Sequence, residues 1–139
     1  MNELAAGLWE RANKALVVAR NLVSLDSDAA ASRAYYCAFY AVSAHFALRG
    51  QTFSRHSSAE AAVHRDLVKA GVWPEELGAK YSMLVELRGT GDYGTLDHVS
   101  NEEAVDAVQA AGEVLDAVAV ANAGTFRRSK DGPSSREVV

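Results

Sequence analysis

The stretch Arg88-Gly-Thr-Gly-Asp92-Tyr93-Gly94 puts a guanidinium, a carboxylate and a phenol within seven residues that also hold three glycines. A guanidinium stays charged and forks onto phosphate oxygens. Four residues separate Asp92 from Arg88, so a helix running through both sets them on one face. There Asp92 can orient the guanidinium or act as a base, and Tyr93 can donate to a phosphate or stack on a nucleobase. Cleaving RNA without a metal needs a base for the 2′-hydroxyl, an acid for the leaving oxygen and a cation for the phosphorane charge. His56, in the polar run Gln51–Ser58 ahead of a predicted helix, is a candidate for the acid–base part. Ser32 and Tyr36, on the helix before it, are candidates for lining a ligand cleft. A plainer account competes with all of this. Arg88 and Asp92 can be an i,i+4 ion pair worth ~0.3–0.5 kcal/mol when exposed, with Tyr93 as packing and the glycines as a cap and turn.

The elements that must carry these residues are helices. The 139 residues suit one domain with a proper core. Alanine is abundant, β-branched alternation is nearly absent, and the two prolines are Pro74 and Pro133. Five helices are predicted: about 2–23, about 29–48, about 59–70, about 75–88, and one beginning near Ser100. Ser57 with Glu60 and Ser100 with Glu103 both match the S-x-x-E capping box. Gly50 and Gly71 read as helix ends, Pro74 as a first-turn residue, and glycines 89, 91 and 94 as the break after Arg88. Helix 2 is apolar on two sides, with Ala34, Cys37, Ala41 and Leu48 on one and Tyr35, Phe39, Val42 and Phe46 on the other, so it should be central or meet a second subunit. On it, His45 is expected to be buried and satisfied. Short connections make the architecture an all-α antiparallel bundle over residues 1–121. From Asn122 the periodicity stops, and 122–139 is expected to be a mobile tail.

Composition narrows the function. A formal charge of −4 and a pI near 5.5 disfavour a basic body that grips nucleic acid by charge alone. Cys37 is the sole cysteine, which fits a reducing compartment and packing rather than reactivity. No run approaches the ~20 apolar residues of a membrane span, and the acidic N-terminus lacks a signal-peptide pattern, so a cytoplasmic protein is expected. Glu60 and His64 are two metal-type residues at i,i+4, too few for a closed site, and no metal or other cofactor is expected.

Four segments together resemble the HEPN domain: SRAYYCAFYAVSAHFALRG in helix 2, SRHSSAEAAVHRDLVKAG, LVELRGTGDY, and NEEAVDAVQAAGEVLDAV in helix 5. The nearest likeness is to the small stand-alone branch with an A-Y-Y-x-x-F signature and an Arg-x-x-x-Asp-Tyr motif, over about residues 1–120. The resemblance implies a homodimer of up-down bundles and a toxin-like role in toxin–antitoxin or defence pairs. In several members it also implies metal-independent endoribonuclease activity, with a minimal nucleotidyltransferase as antitoxin partner. Active members carry Arg, four to six residues, then His. Here the next histidine after Arg88 is His98, ten residues on. Arg49 and His56 meet the spacing only formally, across the loop that holds Gly50. This departure leaves open a second reading, a non-catalytic module that binds a nucleotide or docks the nucleotidyltransferase.

Overall fold

A computed structural model describes residues 2–128. They form five α-helices, and no strand occurs among them: α1 (Glu3–Leu22), α2 (Ser27–Ala47), α3 (His56–Ala62), α4 (Glu75–Tyr93) and α5 (Asn101–Ala121). A π-helical turn, Val63–Val68, extends α3. The fold is an all-α bundle, as the residue pattern predicts, and α2 packs against each of the other four helices. Both of its apolar sides are covered, with Ala34, Tyr35, Cys37, Ala38, Ala41 and Val42 at or below 1% exposure. Tyr35 meets the rings of His56 in α3 and Tyr81 in α4, and Cys37 Sγ lies 3.9 Å from the Ala111 carbonyl of α5.

Local signals account for most helix ends. Asn2 caps α1, Asp26 caps α2, and Ser100 with Glu103 forms the predicted reciprocal capping box of α5. Gly50 and Gly71 take positive φ after α2 and after the π-helical turn, as expected. The Ser57–Glu60 box does not form. The helix starts earlier, at His56, no side chain caps it, and Glu60 turns inward to accept a hydrogen bond from Ser82 Oγ at 2.8 Å. His64 Nε2 meets the same hydroxyl at 2.8 Å, so the i,i+4 pair serves α3–α4 packing.

Helix α4 runs five residues past its predicted end. Gly89 and Gly91 lie inside it, and the chain leaves only at Gly94. A Cβ on Gly91 would stand 2.7 Å from the backbone oxygen of Asp28. The glycine thus serves the close approach of α4's last turn to α2's first turn, and not a break.

The expected boundary after residue 121 also falls in packed chain. Phe126 is 3% exposed and stacks on Trp9 with ring centroids 4.7 Å apart. The Trp9 indole donates to the Arg127 carbonyl at 2.6 Å, and Arg128 pairs with Asp116. Asn122 donates to His45 Nδ1 at 2.9 Å and accepts from Arg49 at 3.1 Å. His45 is therefore buried and satisfied, as read from the sequence, and Arg49 belongs to the end of α5. The remainder of the expected tail, 129–139, lies outside the described residues.

Candidate functional site

Extending α4 through Tyr93 gives Arg88 and Asp92 the shared face that a helix would predict. Arg88 Nε lies 3.0 Å from Asp92 Oδ2. The contact lies off the N–H direction, so it is an ion pair and not a linear hydrogen bond. Nη2 donates to the Tyr36 hydroxyl at 3.0 Å and more weakly to Tyr93 at 3.4 Å. The guanidinium carbon stands 5.6 Å from the Tyr36 ring centre and 5.3 Å from that of Tyr93. Burial opposes the arginine's charge, but the Tyr36 hydroxyl and the nearby phenols and carboxylate outweigh it and raise its pKa. Nη1 makes no hydrogen bond among the described residues and is not sealed from solvent.

These groups form one wall of an open hollow of about 750 Å³ between the start of α2 and the end of α4. Ser32 and Tyr36 line it with Arg88, Asp92 and Tyr93, so five of the six sequence candidates come together. His56, the sixth, is the first residue of α3 and is not on that wall. It packs edge-on against Tyr35 and Tyr36, 5.5 and 5.8 Å away, and its Nδ1 is 2.8 Å from the Tyr35 hydroxyl. Burial, and after it the charge of Arg88, lowers its pKa. The imidazole therefore favours its neutral form beside the cation.

Several lining residues escaped the sequence reading. Arg33 holds its guanidinium 4.6 Å over the Tyr36 ring and adds a second cation. It sits three residues before Tyr36 on the helix, a spacing that could have been noticed. Asp26 and Asp28 add carboxylates, both occupied by their own fold. Asp26 caps α2. Asp28 accepts the Val99 N–H and His98 Nδ1, each at 2.7 Å, which ties the α4–α5 connection to the hollow's rim. The Val99 bond, then the His98 bond, lowers the Asp28 pKa, while Asp28 raises that of His98. No sequence signal pairs residues 28 and 98.

The lining thus carries two guanidiniums and three carboxylates, so it is not a basic patch. The donors that an anion could meet there are Nη1 of Arg88, Arg33, and the hydroxyls of Ser32, Tyr36 and Tyr93. The exposed Tyr93 ring, 71% open, is a surface on which a base can stack. No group of three or more His, Cys, Asp or Glu side chains with metal-site spacing occurs among the described residues. Nor is any helix among them long and apolar enough to cross a membrane.

The family model of the HEPN domain matches residues 5–122. The chain is also similar to a UPF0332 protein of Thermotoga maritima, 43% identical over 89 residues that cover 64% of this chain and 67% of that protein.

Proposed function

This chain belongs to the HEPN domain family, and from that premise we propose that it is the toxin-like component of a toxin–antitoxin or defence pair, acting on RNA phosphodiesters without a metal. The observation that carries the reading is the Arg88 guanidinium, braced on one side by Asp92, Tyr36 and Tyr93 and open through Nη1 to the hollow. Such bracing spends the positioning cost before the substrate arrives.

In this mechanism Arg88 binds a non-bridging phosphate oxygen. The 2′-oxygen attacks phosphorus, its proton passes to the Asp92 carboxylate, and the P–O5′ bond breaks. The Tyr93 phenol protonates the departing 5′-oxygen, and Arg88 beside it steadies the phenolate that remains. The products are a 2′,3′-cyclic phosphate and a 5′-hydroxyl, after which the proton on Asp92 returns to Tyr93 through water. Ser32, Tyr36 and Arg33 hold the strand, and the half-buried His56, beyond the wall of the hollow, donates to a phosphate oxygen where the strand leaves it.

The partners belong to the same proposal: a homodimer, and a minimal nucleotidyltransferase as antitoxin. Leu25, Tyr93 and Leu96 are 79%, 71% and 91% exposed at the end of the bundle where an Asn101–Val23 hydrogen bond brings two connections together. That apolar exposure beside the hollow suits a partner surface.

A specific observation favours a second reading. Asp92 is already paired with Arg88, and His56 is off the wall, so the hollow can also hold a nucleotide without cutting it. Expressing the wild type and Arg88→Ala separates the two. Arrested growth and RNA decay that disappear in the variant support the nuclease. Undisturbed growth and intact RNA, with retained nucleotide binding by the wild type, support the binding module.

A further inference from the structure

Behind the Arg88 wall lies a set of buried phenols that the mechanism above does not use. Tyr35 and Tyr81 are 1% and 0% exposed, with ring centroids 6.2 Å apart and edge to face. Tyr35 places its hydroxyl 2.8 Å from His56 Nδ1. The Tyr81 hydroxyl is sealed from solvent and has no hydrogen-bond partner among the described residues.

Donor accounting gives this row a direction. A buried O–H left without an acceptor is costly. If His56 donated from Nδ1 to Tyr35, the buried Tyr35 proton would be left without an acceptor among the described residues. If Tyr35 donates to Nδ1, its own buried proton is satisfied, and one fewer donor is stranded. We propose that Tyr35 is a positioning residue for His56: its buried phenol holds the imidazole with its proton on Nε2, as a neutral hydrogen-bond donor beside Arg88. The proposal deepens the function given above and rests on it only for the use to which that donor is put, a hydrogen bond to a phosphate oxygen. A neutral imidazole placed to donate is a known way of stabilising developing negative charge.

The surroundings agree. Burial drives the Tyr35 phenol up to about 12 and that of Tyr81 well above its usual value, so both keep their protons. The charged and titratable groups around the row are Tyr36 from α2, Arg88 from α4 and Glu60 from α3. The charge of Arg88 reaches His56 and Tyr35, and that of Glu60 reaches both buried phenols. Glu60 is held by Ser82 and has no hydrogen bond to the row. Nε2 of His56 makes no hydrogen bond among the described residues, and the ring is only half-buried.

The test reads the tautomer directly. Two-bond ¹⁵N–¹H correlation spectra of the full chain near pH 7.5 are expected to show His56 with the Nε2–H form dominant by roughly tenfold or more. Tyr35→Phe should bring the Nδ1–H form up to a comparable population and raise the His56 pKa, whereas Tyr81→Phe, which leaves the Tyr35–His56 bond in place, should keep the Nε2–H form dominant. A wild-type ring protonated on Nδ1 overturns the proposal. So does an unchanged tautomer in folded Tyr35→Phe, and the wild-type spectrum decides alone if that variant does not fold. Neither RNA cleavage nor binding enters this readout. A protein that ignores RNA would defeat the proposed function and leave the tautomer standing, and a wrong tautomer would defeat this inference with RNA activity intact.

Discussion

Gly89 and Gly91 stand two residues apart in α4, yet alanine at the two positions is expected to move stability in different directions. Inside a helix, Gly→Ala favours folding by up to ~1 kcal/mol, because glycine loses more backbone freedom. At Gly89 nothing lies within 4 Å of the added methyl, so that gain should appear nearly whole. At Gly91 the methyl would meet Asp28 backbone atoms, its oxygen at 2.7 Å and its carbonyl carbon at 3.3 Å. Backbone cannot rotate aside as a side chain can, so the last turn of α4 must lift from α2. Overpacking of this kind costs about 1–3 kcal/mol. The helix gain offsets about one of these, which leaves Gly91→Ala between neutral and ~2 kcal/mol less stable than wild type. Urea unfolding measures both variants, read as a shift in midpoint at constant m. The expected order is Gly89→Ala, then wild type or Gly91→Ala, with about 1–3 kcal/mol between the variants. If both alanines stabilise equally, the close docking of α4 on Asp28 is wrong, and the placing of Arg88 and Asp92 at the hollow goes with it.

Phe126→Ala should cost about 3 kcal/mol in the same assay, since it removes a buried ring stacked on Trp9; an unchanged midpoint would mean that residues 122–128 do not pack on the bundle. Cys37 is fully buried, and burial pushes its thiol up to about 12. It should therefore react with a thiol reagent at pH 8 only as fast as the protein unfolds, and rapid labelling of the folded chain would contradict its packing. His45 is lowered to about 4, first by burial and then by Arg49. The unfolded chain takes up a proton near 6.5 and the folded chain does not, so this residue's contribution is present above that pH and is lost on acidification toward 4. Its slope approaches 1.4 kcal/mol per pH unit at most, roughly speaking. A folded His45→Gln variant should show a correspondingly shallower fall between pH 7 and 5, and an equal fall in both proteins would count against the assignment.

What the sequence could reveal was local or periodic. The capping box of Ser100 and Glu103 and the apolar doubling of α2 are written in neighbouring residues, and both appear in the fold. The grouping of Arg88, Asp92 and Tyr93 was legible for the same reason, once a helix was assumed to run through them. That assumption met glycines, which weaken any local case for a helix. The helix continues because α2 lies against it, and that contact has no local signature. The same limit hid the Asp28–His98 clip, which joins residues far apart in sequence. It also hid the packing of Phe126 on Trp9. At α3 a local motif misled: Ser57 and Glu60 fit a capping box, but Ser82 on another helix draws Glu60 away.

The account turns on the open arm of the Arg88 guanidinium as a phosphate ligand. Its most direct test is the binding of a single-stranded RNA made non-cleavable by a 2′-O-methyl group at each residue, titrated into the wild type, Arg88→Ala and Arg88→Lys across a range of salt. The account predicts that alanine weakens binding about tenfold or more and reduces the salt slope by nearly one counterion, and that lysine, which lacks the fork, recovers only part of the loss. Equal affinity and equal salt slope in all three proteins would contradict it.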